Sequence, residues 1–137
     1  MGRANRAVVS YATALAGLAV LVACTELSPP QGEETFRQYC AGCHGRGGVG
    51  NGPWAARLPV PPADLTVLRA ANDGVFPVEH VMATVHGYPG KHDFSVMPEF
   101  GPLLEGPKQI WVSSEGEEIM TPVALLELVS YVETLQR

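Results

Sequence analysis

Phe36-Arg37-Gln38-Tyr39-Cys40-Ala41-Gly42-Cys43-His44-Gly45 is the stretch on which the fold turns. It places two thiols three positions apart and an imidazole directly after the second. Two thiols on one turn of backbone can each add to one of the two vinyl groups on a haem edge, and the next residue then projects its ring toward the iron. A neutral imidazole nitrogen is a good iron ligand, and its other nitrogen needs a hydrogen-bond acceptor to fix the ring. Two other chemistries use the same spacing. A thioredoxin-like dithiol wants a βαβ context, whereas here a helical pattern precedes the motif and a glycine-rich run follows it. A zinc site could draw on Cys40 and Cys43 with two of His44, His80, His86 and His92, yet no second closely spaced ligand pair follows at zinc-finger distance. The residues favour haem attachment. The motif occurs once, so the expected complement is one covalently bound haem c.

The chain of 137 residues, 46% hydrophobic and 17% charged, has the size and make-up of one small domain. With 15 Gly and 12 Pro, turns and loops must carry much of it. A formal charge of −5 argues against nucleic-acid binding, which draws its strength from Lys and Arg neutralising phosphates. The N-terminus pairs a basic start, Arg3 and Arg6, with an apolar run from Ala7 to Val22, the build of an export signal. Leu21-Val22-Ala23-Cys24 resembles the lipobox of bacterial lipoproteins, in which the Cys is acylated and becomes the new N-terminus. The expected organisation is a signal peptide over 1–23, a lipid-anchored tether over 24–32 and a single domain over 33–137. An uncleaved membrane helix over Ala7 to Ala23, or a plainly secreted form, are the alternatives. With Cys24 lipidated, only Cys40 and Cys43 of the three cysteines remain for chemistry.

Beyond the pentapeptide the chain resembles the class I cytochrome c family. Glu33 to Cys43 suits that family's N-terminal helix, with Phe36 four residues before Cys40 where an aromatic packs on the C-terminal helix. Gly45-Arg46-Gly47-Gly48-Val49-Gly50-Asn51-Gly52-Pro53 is similar to the loop that follows the haem motif. Leu128-Val129-Ser130-Tyr131-Val132 looks like the C-terminal helix. The resemblance implies an all-α class I cytochrome c fold: three to five short helices wrapped around the haem, here with a small β-hairpin insert near 109–120. It implies thioethers at Cys40 and Cys43 and an axial His44. It also implies a proline carbonyl in Pro61-Pro62-Ala63-Asp64 accepting from the proximal imidazole, Pro62 first and Pro61 next. For the second axial ligand, Met97 in Met97-Pro98-Glu99-Phe100-Gly101 matches the family's ligand loop. Met82 lies on the apolar face of a helix between Pro77 and Gly87, and Met120 precedes Thr121-Pro122; both read as packing residues. His80 falls on the polar side of its helix, and His86 and His92, near the Met97 loop, read as solvated groups, with a haem-edge contact or alternative ligand as the other reading.

Asp64 is placed to cap a short helix from Leu65 to Ala71, ended by Asn72-Asp73-Gly74. The last helix should run from a Thr121 cap to about Leu135, with Leu125, Leu128, Val129, Val132 and Leu135 on one stripe. Gly101 to Met120 is longer than the passage of about ten residues in short family members. Within it Gln109 to Ser113 and Glu117 to Met120 read as a hairpin. Trp111 with Glu115, Glu117 and Glu118 either forms a docking surface or covers core or haem edge.

The resemblance implies an electron carrier rather than an enzyme: an exported, membrane-tethered monohaem cytochrome on the periplasmic side of a bacterial membrane. It would dock protein redox partners transiently at the haem edge. The alternatives are an electron-transfer subunit of a larger periplasmic oxidoreductase and, more weakly, a ligand-binding haem sensor or peroxidase-like protein in which Met97 is off the iron.

Overall fold

The structure is a computed structural model that describes residues 31–87 and 97–137. The expected signal peptide and Cys24 therefore lie outside the described residues, as does His92. No helix among the described residues is long and apolar enough to cross a membrane.

Helix α1, Gln31–Tyr39, carries Glu33 and Glu34 in its first turn and Arg37 in its last, the charge order that suits a helix dipole. Gln31 and Gly32, read from sequence as the end of a tether, are its first residues. Its buried face is Gly32 and Phe36. That face meets α4, Val123–Thr134, through the Leu125, Leu128, Val129 and Val132 stripe. Phe36 is 0% exposed, and its ring lies 5.3 Å from that of Tyr131 at 54°. A Cβ on Gly32 would sit on the Glu127 carbonyl, so glycine is what lets the helices cross this closely. The helix-on-helix contact fixes where the end of α1, and hence the thiol pair, is presented.

Helix α1 gives way at Cys40 to a single-turn helix α2, Ala41–His44. The expected helix over 65–71 is instead two 3-10 turns, Leu65–Val67 and Ala70–Asn72. Asp64 caps the first, accepting from the Thr66 amide at 2.9 Å and the Thr66 hydroxyl at 2.6 Å. Asp73 and Gly74, both at positive φ, end the second. Helix α3, Val78–His86, buries Val81, Met82, Ala83 and Val85 and stops at Gly87, whose φ of 84° is the left-handed cap that glycine accepts without strain. Met82 is core, as its spacing requires.

The insert forms an antiparallel pair, β1 (Lys108–Val112) and β2 (Glu118–Pro122), with Ile110 opposite Met120 and Trp111 opposite Ile119. The domain is thus a set of helices with one small hairpin rather than purely helical. Two expectations fail here for one reason: the strand runs to Pro122. Thr121 is a buried strand residue whose hydroxyl donates to the Ile119 carbonyl, not a helix cap. The first free amide of α4, on Val123, is satisfied by the Pro107 carbonyl at 2.9 Å. Met120, expected to pack at a helix entrance, points outward from the pair and is 59% exposed. Strand alternation turns Trp111 inward onto the core and leaves Ile110 and Val112, at 57% and 56%, on the outer face with Met120.

Candidate haem site

His44 ends α2 and is 8% exposed. Its Nδ1 lies 3.0 Å from the Ala63 carbonyl oxygen. A carbonyl can only accept, so Nδ1 carries the proton and Nε2 keeps its lone pair, the form an imidazole needs to bind a metal. The sequence placed this acceptor on Pro62. Successive carbonyls of the non-helical segment point apart, and that of Pro62 faces Gly50, where an added Cβ would come within 2.5 Å of it. Ala63, one residue on, is the one turned to the ring.

The segment carrying Ala63 is held from the far end of the chain. Arg137 Nη2 donates to Asp64 Oδ2 at 3.0 Å, Arg137 N to the Thr66 carbonyl at 3.1 Å, and Gln136 Nε2 to the Leu65 carbonyl at 2.7 Å. Hydrogen bonds from Thr66, with Arg137 adding charge, hold the Asp64 carboxyl below its ordinary range.

The glycine-rich run folds back under α2 and satisfies the carbonyls its end leaves open. Trp54 N donates to Gly42 O at 2.9 Å, Gly52 N to Cys43 O at 3.0 Å and Gly50 N to His44 O at 2.8 Å. At Gly52 a Cβ would lie 2.6 Å from the Cys43 carbonyl carbon and oxygen, so the loop needs glycine for close approach.

Cys40 is buried and Cys43 half-buried, and neither is in a disulfide. Burial first, and Cys43 second, pushes the Cys40 thiol up to about 12. A dithiol that exchanges disulfides depends on a lowered thiol pKa, so the environment of Cys40 is the opposite of what the thioredoxin-like reading needs. No group of three or more His, Cys, Asp or Glu that could hold a metal ion comes together among the described residues, which removes the zinc reading for His80 and His86. His80 is exposed.

Met97 is half-buried and packs against the core cluster. Just beyond it, Phe100 N donates to the Val85 carbonyl at 2.9 Å and the Phe100 ring lies 6.2 Å from that of Tyr39, beside Cys40. His86 is not the solvated group its position suggested; its ring and carbonyl lie against Gly101.

Residues 28–111, more than half of the chain, match the family described as cytochrome c oxidase, cbb3-type, subunit III. The chain belongs to the class I c-type cytochromes. No curated protein and no solved structure matches it. A domain of this family carries electrons through covalently bound haem and is generally non-catalytic. In this cytochrome the residues of the pentapeptide fit such a group: two cysteines not joined by a disulfide and a buried imidazole whose Nδ1 is held by a carbonyl, with the Met97 thioether at the core edge. An open cleft of about 370 Å³ between α3 and the hairpin is lined by Glu79, Met82, Trp111 and Ile119 among others and by none of these donors. Ala63, the Asp64 latch and the Gly101 seat escaped sequence reading. Each left a partial signal: Asp64 as a cap two residues before Thr66, Ala63 beside the expected Pro62 acceptor, and Gly101 as the end of the Met97 loop.

Proposed function

We propose that the protein is an exported, membrane-tethered monohaem cytochrome c that passes single electrons between protein redox partners. Cys40 and Cys43 are the thioether attachments, His44 and Met97 the axial ligands, residues 1–23 a cleaved signal, and Cys24 the acylated residue holding 24–30 as a tether on the periplasmic face. The observation that carries the reading is the buried His44 with Nδ1 held by Ala63 directly after the Cys40–Cys43 pair, which no disulfide joins. Haem iron supplies a one-electron couple, and ligation by Met and His with burial raises its potential.

The chain's own residues account for the rest. Each thiol adds across one vinyl group, its sulfur forming the new carbon bond and its hydrogen passing to the neighbouring carbon as the double bond is consumed. The Ala63 carbonyl holds the His44 ring in one orientation, so the ligand need not reorient when charge changes. His44 and Met97 together leave no coordination position for a substrate. The acidic surface favours partners with basic patches and makes association sensitive to salt.

Mass spectrometry of the mature protein from an export- and maturation-competent host tests attachment and acylation together. The expected mass carries one haem and an acylated N-terminus at Cys24. A mass without haem overturns the central assignment; haem without acyl chains overturns only the anchor. High-spin iron in the oxidised protein at neutral pH would promote the sensor or peroxidase-like alternative.

A second reading, an electron-transfer subunit of a larger oxidoreductase, is favoured by the outer hairpin face. Ile110, Val112 and Met120 are each more than half exposed, on an insert the carrier role does not use. Replacing Ile110 and Met120 by Ser should leave stability within about 0.5 kcal/mol. It should abolish copurification with a catalytic subunit if this reading holds.

A further inference from the structure

The chain on either side of residues 88–96 is joined more tightly than a loop base requires. Phe100 N donates to the Val85 carbonyl at 2.9 Å. Gly87, at φ 84°, lies against the Glu99 side chain. Gly101 is seated closest: a Cβ there would fall 2.6 Å from the His86 carbonyl oxygen, 3.0 Å from the ring Cε1 and 3.1 Å from Nδ1. Its φ is not in the left-handed region, so conformational freedom is not why glycine is needed. Close approach is.

We propose that Gly101, by seating the chain directly on His86, is a positioning residue for Met97. The inference rests on Met97 being an axial ligand. The His86 carbonyl belongs to the last turn of α3 and cannot swing away as a long side chain would. The helix itself is pinned by Val81, Met82 and Val85 in the core. A methyl group at 101 must therefore lift the 97–101 segment. Ordinary contact begins at 3.4 Å, so the 2.6 Å approach has to open by close to an ångström. Pro98 has its φ locked by the ring, which leaves little slack between Gly101 and Met97. On the far side, Leu104, at 2% exposed, and the hydrogen bond its amide donates to the Phe100 carbonyl keep the chain from relaxing in that direction. The displacement falls on Met97.

The test compares the holoprotein with Gly101→Ala, Met97→Ala and Val129→Ala, the last a core change in α4, outside residues 97–101, chosen to lose comparable stability. Three readouts are taken: the weak far-red band that ferric haem shows with a thioether sulfur on iron, the reduction potential, and the affinity of the oxidised protein for cyanide. Gly101→Ala is expected to retain covalent haem, weaken the band, lower the potential and bind cyanide roughly tenfold more tightly, equivalent to about 1.4 kcal/mol of lost Met97 positioning. Val129→Ala is expected to keep the wild-type values of all three.

A band present in the wild type, lost in Met97→Ala and unchanged in Gly101→Ala overturns the positioning role alone. A band absent from the wild type, or retained in Met97→Ala, overturns the ligand assignment instead. If Gly101→Ala yields no mature protein, His86→Ala decides. It removes the ring from beneath Gly101 but leaves the carbonyl, so cyanide affinity should rise in the same direction by less than tenfold; unchanged affinity overturns the proposal.

Discussion

Phe36 is the side chain on which the crossing of α1 and α4 most depends, and its removal can be costed. It is 0% exposed, and its ring meets Tyr131 at 5.3 Å. An aromatic side chain buries roughly 150–250 Å², which at ~25 cal/mol per Å² is about 4–6 kcal/mol as an upper bound. Measured Phe→Ala changes in cores cost about 3–5 kcal/mol, in accord with that bound. A domain of this size has only about 5–15 kcal/mol in total, so Phe36→Ala should forfeit a large share of stability and lower Tm by well over about 10 °C. Part of the cost belongs to the ring pair. A double-mutant cycle with Phe36→Leu and Tyr131→Leu should return a coupling of about 0.5–1.5 kcal/mol. The assay is guanidinium unfolding of the oxidised holoprotein followed by circular dichroism and by the haem spectrum, whose transitions should coincide if the domain unfolds in one step. Trp54→Leu, at a ring 58% exposed, is the surface comparison. Should Phe36→Ala cost no more than Trp54→Leu, or the coupling vanish, the helix crossing would not be what organises this domain.

Two further outcomes follow from the site. Asp64 binds a proton less readily folded than unfolded, because Thr66 and Arg137 favour its charged form. Its contribution is therefore complete above the ordinary carboxylate range and lost as pH falls through and below it. Unfolding measured from neutral pH downward should show a shallower acid loss for Asp64→Asn than for the wild type; parallel curves would refute the latch. Gly52→Ala should cost at least about 1–3 kcal/mol and reduce the yield of haem-bearing protein, because its methyl group meets the Cys43 backbone. Gly47→Ala, with nothing within 4 Å of the added Cβ, should stay within about 0.5 kcal/mol, and equal losses for the two would show that the loop does not need the close approach.

What was legible in the sequence was whatever depends on neighbours along the chain. The spacing of Cys40, Cys43 and His44 is a local fact, and so are the apolar stripes of α3 and α4 and the cap at Asp64. The hairpin was legible as alternation, with edges within a residue or two. The 65–71 helix was misread in kind, being two 3-10 turns; the other misreadings concern direction. Pro62 and Ala63 are adjacent and chemically alike as acceptors; which carbonyl faces His44 is decided by how the 61–64 segment crosses the glycine loop, where Pro62 is turned to Gly50. Met120 and Thr121 looked like the approach to a helix because a Thr-Pro pair is a good start signal. Pairing with β1 kept them in a strand, buried one and exposed the other. Trp111 left two readings open, a docking surface or a cover for core or haem edge; register with Ile119 turned it inward onto the core and put Ile110 and Met120 outside.

By itself, then, the sequence determined the family's haem-attachment spacing and the helical scaffold, because covalent spacing and residue period survive in any conformation. The tertiary structure alone decided which carbonyl holds the imidazole, which face of the insert meets solvent, and that Gly101 rests on His86. Those depend on the relative placement of segments distant in the chain, which no local pattern encodes.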